Sequence, residues 1–395
     1  MRMINKEISF ENTEIAFRSL SDKELKHSYR LFQLMSKSSL VQLGSSMAPF
    51  MLKLPFLPGK SIIKKTIYKQ FCGGETIRES LPLIEKLTKY NVFTILDYGI
   101  EAKDDEEELE RTAQHLVKGI EFAKKHPDVN IISSKITGLI RFALLEKVSA
   151  GKTLSKKEQA EWDRGKRRVK FVSKAGHECN IQIYFDAEES WVQIAIDDLV
   201  TDMMQTYNQD SAIIFNTIQL YRHDKLAAFK KAYQKARDGN YFLGVKLVRG
   251  AYMEKENLRA EEMSYPTPIQ PNKDASDRDF DLALEFALDN LEGLYICVAT
   301  HNENSSRLVT ELCQQKNISP SDERIFFGQL FGMSDNLSFN LAQAGYNVAK
   351  YLPYGPVREV VPYLVRRAKE NTSVSGQMTR ELSFIKKEMK RRALI

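Results

Sequence analysis

From Asn91 onward, short apolar and often β-branched runs alternate with longer segments of helical spacing. NVFTILD (91–97) precedes the acidic helical segment DDEEELERTAQHLVKGIEFAKKH. NIISSKI (130–136) precedes RFALLEKV and a charged, helix-rich stretch, and CNIQIYFDA (179–187) precedes DDLVTDMMQTYNQ. AIIFNTIQ (212–219), FLGVKLVR (242–249), YICVAT (295–300), RIFFGQL (324–330) and NVAKYLP (347–353) complete eight strand candidates, each followed by helical sequence. Such alternation argues for a parallel sheet in an α/β protein, and eight units argue for a closed (β/α)8 barrel over an open sheet. A doubly wound sheet is the alternative. It loses ground because no G-x-G-x-x-G follows a strand and no G-x-x-x-x-G-K-[ST] occurs.

Before the first strand the spacing is helical. Residues 22–36 and TIRESLPLIEKLTKY (76–90) carry amphipathic patterns, so residues 1–90 are expected to be a helical region packed on the barrel. Between them, SLVQLGSSMAPFMLKLPFL (39–57) is mostly apolar, but Pro49, Lys53 and Pro55 argue against a spanning helix. Packed helices and a membrane-contact surface are the two readings of that segment.

After the last strand comes YLPYGPVREVVPYLVRRAKEN (351–371). Gly355 suits the N-cap and Pro356 the first helical position, where a missing N–H costs nothing. Tyr363, Arg366, Arg367 and Glu370 share one face, and Val357, Val360, Val361, Leu364 and Val365 supply apolar surface for the other. Pro362 lies inside this helix, where a proline costs about 3 kcal/mol. Adjacent arginines are commonly solvated or paired with acids. The sharper reading is a fork for a small carboxylate, which planar guanidinium groups bind in bidentate fashion.

Composition changes this picture little. The 395 residues are 43% hydrophobic and 28% charged, ordinary for a soluble globular chain with a large core. Net charge is +6, the basic residues are dispersed, and no nucleic-acid-binding motif occurs, so no nucleic-acid partner is expected. Cys72, Cys179, Cys297 and Cys313 are widely spaced, and the six histidines form no cluster, so neither a disulfide framework nor a metal site is expected. The thiols fit a reducing compartment, and MRMINKEISFENTEIAF resembles neither a signal nor a transit peptide, so the cytoplasm is the expected location.

Chemistry in such a barrel sits at the C-terminal ends of strands. Glu101, Lys135, Asp186, Gln219, Lys246, Arg249, Tyr252, Thr300, His301 and Tyr351 all fall there, ahead of the double-arginine helix. Singly, each has a dull explanation as a cap, a backbone partner or one half of an ion pair. Together they describe a pocket for a small zwitterion, with cations for its carboxylate and rings around its carbon skeleton. No Ser–His–Asp spacing or close carboxylate pair suggests hydrolysis.

VKLVRGAY, DAEE, the strand-four glutamine, ATHN, FGQLFGM and YLPYGPVREVVPYLVRRAKEN, in this order and on consecutive strands, resemble the proline dehydrogenase family, as does FCGGET at 71–76. The likeness runs from about Asn91 to Asn371, leaving 372–395 as a basic amphipathic tail. It implies a distorted (β/α)8 barrel holding FAD, with a hydride passing from proline C5 to flavin N5. The product would be Δ1-pyrroline-5-carboxylate, and electrons would leave to ubiquinone or menaquinone in a membrane. The chain is too short for a second dehydrogenase half, so the resemblance implies a monofunctional enzyme of proline catabolism, with hydroxyproline dehydrogenase as the alternative.

By that resemblance, Arg366, Arg367 and Lys135 would bind the proline carboxylate, and Glu101 would pair with Arg366 as a gate. Tyr252, Leu330, Tyr351 and Tyr363 would line the site, with Asp186 supporting its hydrogen bonds. Gln219, Lys246, Val248, Arg249, Gly250, Lys273, Ala299, Thr300, His301 and Glu370 would hold the flavin. Many bacterial members carry arginine and then lysine on strand five. The order here, Lys246 then Arg249, is that of the eukaryotic-type branch, which also has a helical insert like residues 145–180. Hydroxyproline-preferring members tend to carry a smaller side chain at the position of Tyr351, so the resemblance implies a preference for proline. The tail MTRELSFIKKEMKRRALI would either touch an anionic membrane surface or dock as a final helix.

Overall fold

The computed structural model describes residues 8–36, 61, 63–99, 104–373 and 377–395, and from 366 to 378 it describes no side chains. The strands are β1 (Val92–Tyr98), β2 (Ile131–Lys135), β3 (Gln182–Asp186), β4 (Ile214–Gln219), β5 (Leu243–Val248), β6 (Leu294–Ala299), β7 (Ile325–Leu330) and β8 (Val348–Tyr354). In chain order they form a closed parallel barrel, each strand followed by helix. Parallel strands are buried on both faces, so they read as apolar runs, and those runs are what the sequence displays.

The chain divides into two compact units, Met1–Glu101 with Gln329–Ile395, and Ala102–Gly328. In the first, β1 pairs with β8 in register from Val92↔Val348 to Tyr98↔Tyr354. The helix Asp22–Met35 starts on a capping box, in which Ser21 and Glu24 each satisfy the other's backbone N–H. Its buried Phe32 meets Phe71 edge-on at 6.3 Å. The helix Gln377–Arg391 packs against it, burying Phe384, Ile385 and Met389, while Leu382 and Leu394 are partly covered by the same cluster. Arg392 donates to the carbonyls of Phe17 and Leu20, and Lys387 to that of Glu11. The apolar side of the tail is thus used within this unit. Residues 39–57, the other membrane-contact candidate, lie outside the described residues.

The double-arginine helix spans Val357–Ser373 with Pro362 inside it. It starts one residue later than expected, because the Pro356 carbonyl already accepts the Val360 N–H at 3.1 Å, while Gly355 turns the chain at φ 144°. Val357, Val360, Val361 and Leu364 are buried as the spacing requires.

The second unit carries β2 to β6 and most of β7. The insert between β2 and β3 consists of helices Phe142–Ser149 and Lys156–Cys179. Asn180, at φ 54°, ends the second helix in a left-handed cap, so β3 starts at Gln182 and Cys179 belongs to the helix, not to the strand. In register, Lys135 lies beside Asp186, Thr217 beside Lys246, and Lys246 beside Cys297. Among the described residues no helix is long and apolar enough to cross a membrane.

Candidate active site

Polar groups in the Ala102–Gly328 unit gather at the C-terminal ends of β2 to β6 and fall into three connected clusters. In the first, Lys246 on β5 pairs with Asp186 at the end of β3, and Ser133 on β2 donates to the same carboxylate oxygen at 3.0 Å. Lys246 is only 5% exposed, so removing that partner would leave a buried charge uncompensated. Cys297, its register neighbour on β6, is buried too. Burial pushes its thiol up to about 12 against the pull of Lys246 and a hydrogen bond with Tyr184, so it is no thiolate at neutral pH.

The second cluster centres on Glu188, two residues past β3. Its carboxylate accepts the Thr137 backbone N–H at 3.1 Å and the Thr137 hydroxyl at 2.6 Å. Its backbone carbonyl accepts the Gln219 amide at 2.8 Å, and its N–H donates to Gln193 at 2.7 Å. Burial raises the Glu188 carboxyl to about 7, with the charge of Lys135 and the Thr137 bonds acting in the opposite direction. Gln219 therefore ends β4 with one side of its amide already committed.

In the third cluster the fork of Arg249 reaches three partners. Nε donates to Asp277, Nη1 to Thr300 at 2.9 Å and Nη2 to Ser305 at 3.0 Å, while the guanidinium stacks 4.3 Å over the Phe280 ring. Lys273, one helical turn before Asp277, pairs with its other oxygen. Burial opposes the charge of Asp277, but hydrogen bonds from Lys273 and Arg249 prevail and hold its carboxyl below the ordinary range. Thr300 also accepts the Asn302 N–H at 3.1 Å, and Asn302 caps the helix Glu303–Gln315. A helix N-terminus thus opens beside Arg249 and Lys273, which share Asp277, and beside the Thr300 hydroxyl, while the Ser305 hydroxyl donates to Asp281 at 2.6 Å. Ala299 and His301, flanking Thr300, are half-buried.

Between these clusters the backbone turns at Gly250, at φ 143°. A β-carbon there would lie 2.3 Å from the Tyr221 ring, so conformation and space both require glycine. Val248 and Arg249 hold this turn by accepting the Leu220 and Tyr221 N–H groups at 2.8 and 2.7 Å. Tyr252 is buried at the start of helix Met253–Glu262, with Lys255 5.5 Å from its ring.

In the other unit, Leu330 ends β7, Tyr351 sits half-buried on β8, and the Tyr351 carbonyl accepts the Phe331 N–H at 2.9 Å. Tyr363 is buried on the helix Val357–Ser373. Arg366, Arg367 and Glu370 lie on that helix, their side chains outside the description, and Glu101 lies outside the described residues. Sequence reasoning missed Ser133, Glu188, Asp277 and Ser305. Only Asp277 left a legible signal, its spacing of four from Lys273.

The proline dehydrogenase family model matches residues 80–380. "Proline dehydrogenase 1, mitochondrial" of Dictyostelium discoideum is 34% identical over 85% of this chain and 66% of its own length. "Hydroxyproline dehydrogenase" of Xenopus laevis is 30% identical over 95% of this chain and 88% of its own. Among solved structures, proline utilization A from Bdellovibrio bacteriovorus, inactivated by N-propargylglycine, superposes with a TM-score of 0.72 at 23% identity, a likeness of fold. It covers 95% of this chain, which spans 40% of that one and just under two thirds of the Dictyostelium protein.

Proposed function

We propose, from the premise that this chain belongs to the proline dehydrogenase family, that it oxidises L-proline to Δ1-pyrroline-5-carboxylate using bound FAD. The observation that carries this reading is the Arg249 cluster, where a guanidinium, an ammonium, the Thr300 hydroxyl and a helix N-terminus converge beside a glycine turn. Those groups suit the diphosphate of a dinucleotide, and the glycine keeps side-chain bulk away from it. Lys246 and Gln219, on adjacent strands, are polar donors at the strand ends, as a flat heteroaromatic ring requires. FAD, when bound, supplies a two-electron acceptor for the hydride leaving proline C5.

The residues assigned to holding FAD are Gln219, Lys246, Val248, Arg249, Gly250, Lys273, Ala299, Thr300, His301 and Glu370. Lys135, Arg366 and Arg367 are assigned to the substrate carboxylate, with Glu101 as a gate to Arg366. Tyr252, Leu330, Tyr351 and Tyr363 enclose the ring, and Asp186 orients Lys246. Hydride loss needs the unprotonated amine, so these side chains act by pinning the carboxylate and excluding water. The catalytic barrel is residues 91–371, between the helical 1–90 and the basic 372–395. Electrons pass on to ubiquinone or menaquinone, from the cytoplasmic side of a membrane with the protein at its surface.

Incubation with L-proline and an artificial electron acceptor tests this directly, with mass spectrometry for a product lighter by one pair of hydrogen atoms. No such product after loading with FAD would sink the reading. Hydroxyproline is the second candidate, on the strength of the Xenopus relative. A higher turnover of hydroxyproline than of proline would replace the first reading with it.

A further inference from the structure

Glu188 is a buried acid for which the assignments above have no use. It is 4% exposed, and its carboxylate receives two hydrogen bonds from one residue, Thr137, in the turn immediately after Lys135. Through its main chain it also holds Gln219 on β4 and is held by Gln193 on the helix Ser190–Tyr207. One residue therefore ties the turn that follows the lysine assigned to the substrate carboxylate to the glutamine assigned to the flavin. We propose that Glu188 is a positioning residue that clamps the turn behind Lys135 and, by its own charge, sets how much of the Lys135 charge is offered to a bound carboxylate. This rests on the carboxylate role proposed for Lys135.

Among the described residues, the acids nearest Glu188 have partners of their own. Asp186 is engaged by Lys246 and Ser133, Glu189 is paired with Lys255 at 2.8 Å, and Asp197 is paired with Lys225 at 2.8 Å. Gln193, the residue of the packed helix that meets Glu188, is neutral. Among the described residues, Lys135 is the cation that favours Glu188 ionisation, and the charge of Glu189 opposes it. With burial raising its carboxyl to about 7, Glu188 is neutral on the acid side of that value and charged on the alkaline side. Charged, it competes with a ligand carboxylate for Lys135. Neutral, it does not.

The test is calorimetric titration of the flavin-loaded protein with cyclopentanecarboxylate, a ring carboxylate with no titrating amine, between pH 6 and 8.5. Affinity should fall about fivefold as pH rises, with a midpoint near 7. Glu188→Gln should remove the pH dependence and hold the tighter affinity throughout. Thr137→Val deletes one hydrogen bond to the charged form, so it should raise the midpoint by about 1 pH unit, a shift that a purely structural role would not produce. It also serves if the glutamine variant fails to fold. A flat wild-type profile, a glutamine variant keeping the wild-type slope, or an unmoved midpoint in Thr137→Val overturns the proposal. So does absence of binding at every pH. That last result sinks the proline reading as well only if L-proline also fails to reduce the flavin.

Discussion

Lys246 on β5 and Asp186 at the end of β3 are ion-paired across the intervening strand, and Ser133 on β2 donates to the same carboxylate. Three strands of the barrel, β2, β3 and β5, thus meet at one buried lysine. Lysine is a compact point charge and arginine a planar fork, and the two positions divide that labour. Lys246 meets one carboxylate oxygen, whereas Arg249 spreads over Asp277, Thr300 and Ser305.

Removing one partner of a buried pair leaves the other uncompensated. Lys246→Met should cost about 3 kcal/mol, and adding Asp186→Leu should recover most of it. Chemical denaturation of both variants measures this. Neither should retain flavin, because the repaired pair restores packing and not the donor.

Arg249→Lys keeps the charge and loses the fork. With Asp277 retained and Thr300 and Ser305 abandoned, flavin affinity should fall at least about tenfold. The ratio of visible to ultraviolet absorbance after gel filtration reads it. An unchanged ratio would place the diphosphate elsewhere.

Gly250→Ala meets two obstacles, a φ of 143° and the Tyr221 ring 2.3 Å from the new carbon. The cost should be about 2–4 kcal/mol, read as a drop in apparent Tm of the flavin-free protein. The same change at Gly151 meets no atom within 4 Å and leaves only the strain of φ 66°, so its loss should be smaller.

Glu381 provides a pH test within the unit that contains the tail. It is buried and accepts the Ser334 N–H at 2.6 Å and the Ser334 hydroxyl at 3.2 Å. Burial raises its carboxyl to about 7, and Asp335 adds to the rise. A carboxyl raised in the folded state favours folding below its unfolded value of about 4.5, and that contribution is lost as pH climbs to about 7. The loss is about 3 kcal/mol. Glu381→Gln should match wild type near pH 5 and be the more stable protein at pH 8, in thermal scans across that range.

The strands were legible because burial on both faces leaves runs with one period and few polar interruptions, and each lies within a few residues of its expected place. The helix after β3 was legible only in part. The sequence points to a start at Asp197, yet it begins at Ser190, whose N–H and hydroxyl are both taken by Glu256 at 2.6 Å. That cap comes from sixty-six residues away and leaves no local sign. The same holds for Glu188, which is an acid in an acidic dipeptide until the fold brings Thr137 and Gln219 to it. Arg249 and Lys273 carry their own signal, since their chemistry is written in residue type and strand-end position. What a side chain is, the sequence states; which partner holds it, only the assembled barrel decides.

A flavin bound at Lys246, Arg249 and Gln219 is expected to take electrons from proline. A visible spectrum of the purified protein, recorded anaerobically before and after L-proline, tests it most directly. A yellow protein that bleaches with proline, and only slowly with hydroxyproline, is the predicted result. A yellow protein indifferent to proline, or a colourless one that stays inert after FAD is added, would contradict it.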